Sequence, residues 1–118
     1  DIIFPSDDEA EKLTGLTDPD AILDHYLCHG ARIVALKRGD KGAMIATPEM
    51  RLTIPPAKTT PVDSTGAGDS YAGAFLAYYL ETLDIEASGR LAAKVAAGTV
   101  SGFGAITPIP HRDQVWPV

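Results

Sequence analysis

Residues 63–71 read Asp63-Ser64-Thr65-Gly66-Ala67-Gly68-Asp69-Ser70-Tyr71, a glycine-rich turn with a carboxylate just behind it. Gly66, Ala67 and Gly68 carry almost no side chain, so successive backbone N–H groups can converge on a bound anion without obstruction. The apolar segment 72–83 that follows is strongly helical in pattern, which places those N–H groups at the positive end of a helix dipole. A phosphate suits that position. Asp69 would be repelled by such a phosphate unless it has a task there, and accepting the proton of an attacking hydroxyl is one. Taken alone, Asp69 reads first as an aspartate complementing a helix N-terminus, an effect of up to about 1 kcal/mol.

The whole run resembles the signature of the ribokinase-like, or PfkB, family of carbohydrate and nucleoside kinases, position by position and into the following helix. The resemblance implies that Asp69 is the base that deprotonates the acceptor hydroxyl. It also implies that Gly66, Ala67 and Gly68 form an anion hole that stabilises charge as the phosphoryl group transfers. Asp63 matches the position that ligates a monovalent cation beside that hole, assisted by the Thr65 carbonyl; without the resemblance, Asp63 reads as a turn residue with a local hydrogen bond. Competing motifs fail on spacing. A dinucleotide fingerprint would need glycine where Tyr71 stands, and the Gly102-Phe103-Gly104 run has Thr107 in its third glycine place. The sequence contains neither a P-loop nor a Gly-x-Ser-x-Gly elbow.

The resemblance extends to most of the chain through weaker motifs. In 4–9, Glu9 matches a glutamate that helps organise magnesium and phosphates, although Ser6 stands where the family has asparagine; a helix capping box explains the same residues equally well. Lys37-Arg38-Gly39-Asp40-Lys41-Gly42 resembles the strand-end loop that borders the nucleotide phosphates, with Lys37 supplying charge and Gly39 and Gly42 close backbone approach. A solvated hairpin turn is the alternative. Residues 99–107 resemble the loop that supplies carbonyls to the cation and borders the adenine, and Thr99 and Gly104 are the positions carried over. Ala92, Val95 and Ala96 are small enough to admit a flat base, with plain helix packing as the competing account. His25, Cys28 and His29 have a spacing compatible with a metal, but no further strong ligand accompanies them, and they read as structural.

With 118 residues, 45% hydrophobic and 22% charged, the chain is sized for one core. A net charge of -6, with ten basic residues and no basic run, argues against nucleic acid as a partner. The single cysteine, Cys28, cannot form an internal disulfide and fits a reducing, cytoplasmic setting. No apolar run reaches membrane-spanning length. Asp1-Ile2-Ile3-Phe4-Pro5 reads as the end of a buried parallel strand, which needs neighbours on both sides, so an upstream portion is expected.

The elements that must hold these residues follow from local chemistry. Ser6 and Glu9 cap a short helix to about position 14, with Gly15 as its stop. Asp18-Pro19 opens a second, directing Ala21, Ile22, Tyr26 and Leu27 to a core until Gly30. Strands are expected over 32–37, 43–47 and 51–54, the first two joined as a hairpin through Lys41-Gly42. Pro55, Pro56 and Pro61 enforce an extended approach to the Asp63 turn. A helix over 68–82, apolar nearly all round, should be central, and a last helix over 86–101 pairs Glu86 with Arg90.

Strands alternating with helices, closed by a hairpin, predict an α/β layer with a mixed sheet. The resemblance implies the carboxyl-terminal part of a ribokinase-like three-layer fold, mostly parallel, with all 118 residues forming the nucleotide-binding and base-bearing part of one domain. It further implies an ATP-dependent kinase acting on a sugar or sugar acid. Residues 4–9 and 34–39 are similar to 2-keto-3-deoxygluconate kinases, with fructose, ribose or a nucleoside as other substrates. Expected cofactors are ATP, Mg2+ and K+; the partners are small molecules, with a homo-oligomer left open. A non-catalytic nucleotide-binding module is the alternative function.

Overall fold

Helix ends in the computed structural model, which describes residues 1–63 and 66–116, sit where side chains can satisfy them. α1 (Asp7–Thr14) is capped by Ser6, whose hydroxyl accepts the Glu9 N–H at 3.1 Å, and stops at Gly15 in the left-handed region. α2 (Pro19–Cys28) has proline in its first turn and Asp18 accepting from the Ala21 N–H at 3.1 Å. Its chain reverses through Gly30 at φ +100°. These are the caps read from the sequence, and Ser6 and Asp18 satisfy backbone donors that would otherwise lack partners.

The described residues fall into two compact units, 1–54 and 55–116. The first carries a four-stranded sheet in the order β1 (Ile2–Ile3), β2 (Ile33–Lys37), β3 (Ala43–Ala46), β4 (Arg51–Ile54). β1 runs parallel to β2, with Ile2 opposite Ile33, and the other two pairings are antiparallel. The sheet is mixed as expected, and in these four strands the parallel share is the smaller. β2 is buried on both faces from Ile33 to Leu36, whereas β4 alternates and ends at buried Ile54. A core of Ala10, Ile22, Leu23, Val34, Leu36 and Ala46 joins α1 and α2 to the sheet. Leu23, fully buried, is a core residue that the sequence reading passed over. Arg51 fixes β4 to α2 through Asp20 at 2.7 Å and through Asp24.

In the second unit, α3 (Ala67–Thr82) packs on α4 (Ile85–Val100), and a short α5 (Arg112–Val115), absent from the sequence expectations, follows. Leu91, Val95 and Val115 form its core with Tyr78, Ile109 and Trp116 against them. The expected Glu86–Arg90 pair is present at 2.5 Å. α3 is less enclosed than its composition predicts. Tyr71 and Phe75 are buried, but Leu80 is 73% exposed, because no described element covers that side. Residues 101–110 fold back over glycines: Gly98 faces the Pro110 ring and Gly102 faces Pro108, each too closely to admit a Cβ. Among the described residues no helix is long and apolar enough to cross a membrane.

Candidate functional site

Gly66 begins α3 in the left-handed region, at φ +78° and ψ 0°, and its carbonyl accepts the Ser70 N–H at 2.9 Å. Glycine is required there twice over. Its φ disfavours any side chain, and an added Cβ would lie 2.8 Å from the Ala105 methyl. Among the described residues no side chain caps this helix start, in contrast to Ser6 on α1, Asp18 on α2 and Asp84 on α4. The first N–H groups of a helix have no partner within it. Those of Ala67, Gly68 and Asp69 therefore suit an anion. The Asp69 side chain, in this first turn, is exposed.

The turn before Gly66 is held from the far end of α4. Val62 and Asp63 donate their N–H groups to the Val100 carbonyl at 2.7 and 3.1 Å. The Asp63 carboxylate accepts the Gly104 N–H at 3.0 Å. Asp63 and Gly104, both expected around a monovalent cation, are thus brought together. Thr65, expected beside them, lies outside the described residues. Thr99 is fully buried, and its single hydroxyl proton is within reach of both the Val95 carbonyl and the Ser70 hydroxyl, each at 3.0 Å, while the Ser70 hydroxyl donates to the Ala67 carbonyl at 3.1 Å. This relay links the end of α4 to the first turn of α3. Neither Ser70 nor Ala105 was singled out in the sequence.

Ala92 and Val95 are buried, Val95 within the helical core, and Ala96 is half-buried. The Tyr71 hydroxyl is buried without a hydrogen-bond partner among the described residues, and burial pushes this phenol well above the usual tyrosine range.

The first unit gathers the remaining candidates. Ser6 bridges to Lys37, and the Lys37 N–H donates to the Pro5 carbonyl at 2.9 Å, which brings the start of α1 beside the end of β2. The Ser6 hydroxyl holds the Glu9 carboxyl below the usual glutamate range; burial opposes this, and the positive charge of Lys37 adds to it. Gly39–Lys41 form one 3-10 turn, longer than the tight turn expected, and both Gly39 and Gly42 have positive φ. Open space surrounds the Gly39 Cα, so backbone approach by a ligand is sterically free. A depression of about 500 Å³ near the end of α2, lined by residues that include Cys28, Glu49 and Met50, contains none of these candidates. Among the described residues no cluster of three or more His, Cys, Asp or Glu could hold a metal. His25 and His29 lie with ring centres 4.4 Å apart, and the His29 Nδ1 is 2.6 Å from the His25 carbonyl.

Comparison with known proteins bears on this geometry. The model of the pfkB family of carbohydrate kinases matches residues 1–112. A deoxyribokinase of Salmonella typhi is 31% identical over 97% of the chain and 39% of its own length. A 2-dehydro-3-deoxygluconokinase of Bacillus subtilis is 31% identical over 98% of the chain and 36% of its own length. An Escherichia coli protein assigned as ribokinase II, solved in complex with ATP and Mg2+, superposes with a TM-score of 0.89 at 26% identity, over 98% of this chain and 37% of that one. The chain spans about two fifths of the length of the curated relatives it matches.

Proposed function

The chain belongs to the pfkB family of carbohydrate kinases, and from that premise we propose that it is the nucleotide-binding and base-bearing part of an ATP-dependent kinase acting on a sugar or sugar-acid hydroxyl. The observation that carries the reading is the start of α3, where an uncapped N-terminus set by Gly66 stands beside Asp69 in one helical turn. Asp69 takes the proton of the attacking hydroxyl, and the N–H groups of Gly66, Ala67 and Gly68 stabilise the oxygens of the transferring phosphoryl group.

Lys37, Gly39 and Gly42 border the nucleotide phosphates in this reading, with Ala92, Val95 and Ala96 on the base side. Glu9, whose carboxyl the Ser6 hydroxyl holds below the usual glutamate range, suits a role in organising magnesium. Magnesium, when bound, offsets charge on the ATP phosphates. Asp63, Thr65, Thr99 and Gly104 form the potassium side, supported by the bond that joins Asp63 to Gly104. Residues 4–9 and 34–39 favour 2-keto-3-deoxygluconate as the substrate, and a 2-dehydro-3-deoxygluconokinase stands among relatives that also include a deoxyribokinase, a nucleoside kinase and a fructokinase.

Asp69→Asn in the complete protein tests the assignment. Turnover should fall at least ~100-fold while the affinity for Mg-ADP changes little. Unchanged turnover would remove Asp69 from the mechanism, and absence of sugar-dependent ADP formation by the unmodified protein would favour a non-catalytic binding module.

A further inference from the structure

Gly66 is usually the kind of glycine explained by the anion it makes room for, yet its nearest neighbour here is part of the protein. The Ala105 methyl, Cα and carbonyl oxygen stand 2.8, 3.0 and 3.1 Å from where a Gly66 Cβ would be. Ala105 therefore fills the space beside Gly66. Its segment is itself anchored on the other side of the same turn, since Gly104 donates to Asp63 and the Val62 and Asp63 N–H groups reach Val100. No described side chain caps α3, so this packing is a contact available to orient the start of the helix.

Building on the kinase reading above, we propose that Ala105 is a positioning residue for phosphoryl transfer. Its methyl braces Gly66 and so aims the Ala67 and Gly68 N–H groups at the transferring phosphoryl. A larger side chain at 105 would push Gly66 away, and a smaller one would leave the turn free to tilt. Either error misplaces donors whose value depends on their direction.

The test compares Ala105→Val, Ala105→Gly and Ala105→Ser in the complete protein. The valine and glycine variants should lower kcat by ~10-fold to ~100-fold, the scale expected for a displacement of about 1 Å, with the KM for sugar within about twofold of the parent. Ala105→Ser, nearly the same size, should restore kcat. Wild-type kcat in both the valine and glycine variants overturns the proposal. So does a loss of kcat that tracks a fall in thermal midpoint and is not rescued by serine, because that is the mark of a merely structural contact. A readout without turnover separates this inference from the kinase reading: the amide NMR shifts of Ala67 and Gly68 on titration with inorganic phosphate. A response in the parent that Ala105→Val abolishes supports the brace even if no sugar is phosphorylated. No response in the parent overturns it.

Discussion

The Asp63 carboxylate accepts the Gly104 N–H at 3.0 Å, so the turn entering the Gly66 start of α3 is fastened by the segment leaving α4. Two elements that meet at the proposed anion hole are thereby joined through one charged acceptor.

Replacing Asp63 separates its charge from its bond. Asp63→Asn retains an acceptor oxygen for Gly104, whereas Asp63→Ala does not. The alanine variant should lose about 1.5–3 kcal/mol, the range for a hydrogen bond to a charged group, and the asparagine variant less. Both should lose any extra stabilisation by Mg-ADP in potassium over sodium. Thermal unfolding of the three proteins in each salt measures both effects; equal midpoints throughout would show that the bond contributes nothing.

Tyr71 carries a buried hydroxyl with no partner among the described residues. Removing such a group while keeping the ring should be neutral or stabilising, by up to about 1 kcal/mol for Tyr71→Phe. The pH dependence has a definite sign. Burial raises the folded phenol's pKa, so above about pH 10 the unfolded chain loses a proton that the folded one retains, and stability falls as pH rises. The phenylalanine variant lacks that contribution. Urea unfolding at pH 8 and near pH 11 should show the gap between the two proteins widening; a destabilised variant would reveal a partner for the hydroxyl.

Ser6 acts on α1 in two ways, by accepting the Glu9 N–H and by holding the Glu9 carboxylate. Ser6→Ala should cost about 1 kcal/mol at neutral pH. Because the Glu9 pKa is lowered on folding, the carboxylate's share is present above its ordinary value of 4.5 and is lost as pH falls through the folded value. The difference between the two proteins should therefore shrink, without vanishing, between pH 7 and pH 3. A constant difference would assign the whole effect to the N–H bond.

Local chemistry made much of this fold legible. The capping pairs at Ser6 and Asp18, the stop at Gly15, and the run from β2 to β4 all depend on residues a few positions apart, and each was readable. A glycine-rich start to α3 with Asp69 in its first turn was readable too, while the roles given to these residues come from the family resemblance. Contacts across tens of residues were not readable. Nothing in the types of Ser70 and Thr99 says that their hydroxyls meet, and Ala105 is indistinguishable in sequence from any other loop alanine until the chain returns over Gly66. Burial of α3 was overread for the converse reason: composition records how apolar a helix is and says nothing of what covers Leu80.

The three glycines beneath residues 101–110 have a consequence for inheritance. Gly66 opposite Ala105, Gly98 opposite Pro110 and Gly102 opposite Pro108 are each a gap fitted to a facing residue. None of these glycines can gain a side chain while its partner stays in place. Enlarging a glycine here calls for a compensating change opposite it, and a randomised library that varies the glycines while holding their partners fixed will consist mainly of misfitted combinations.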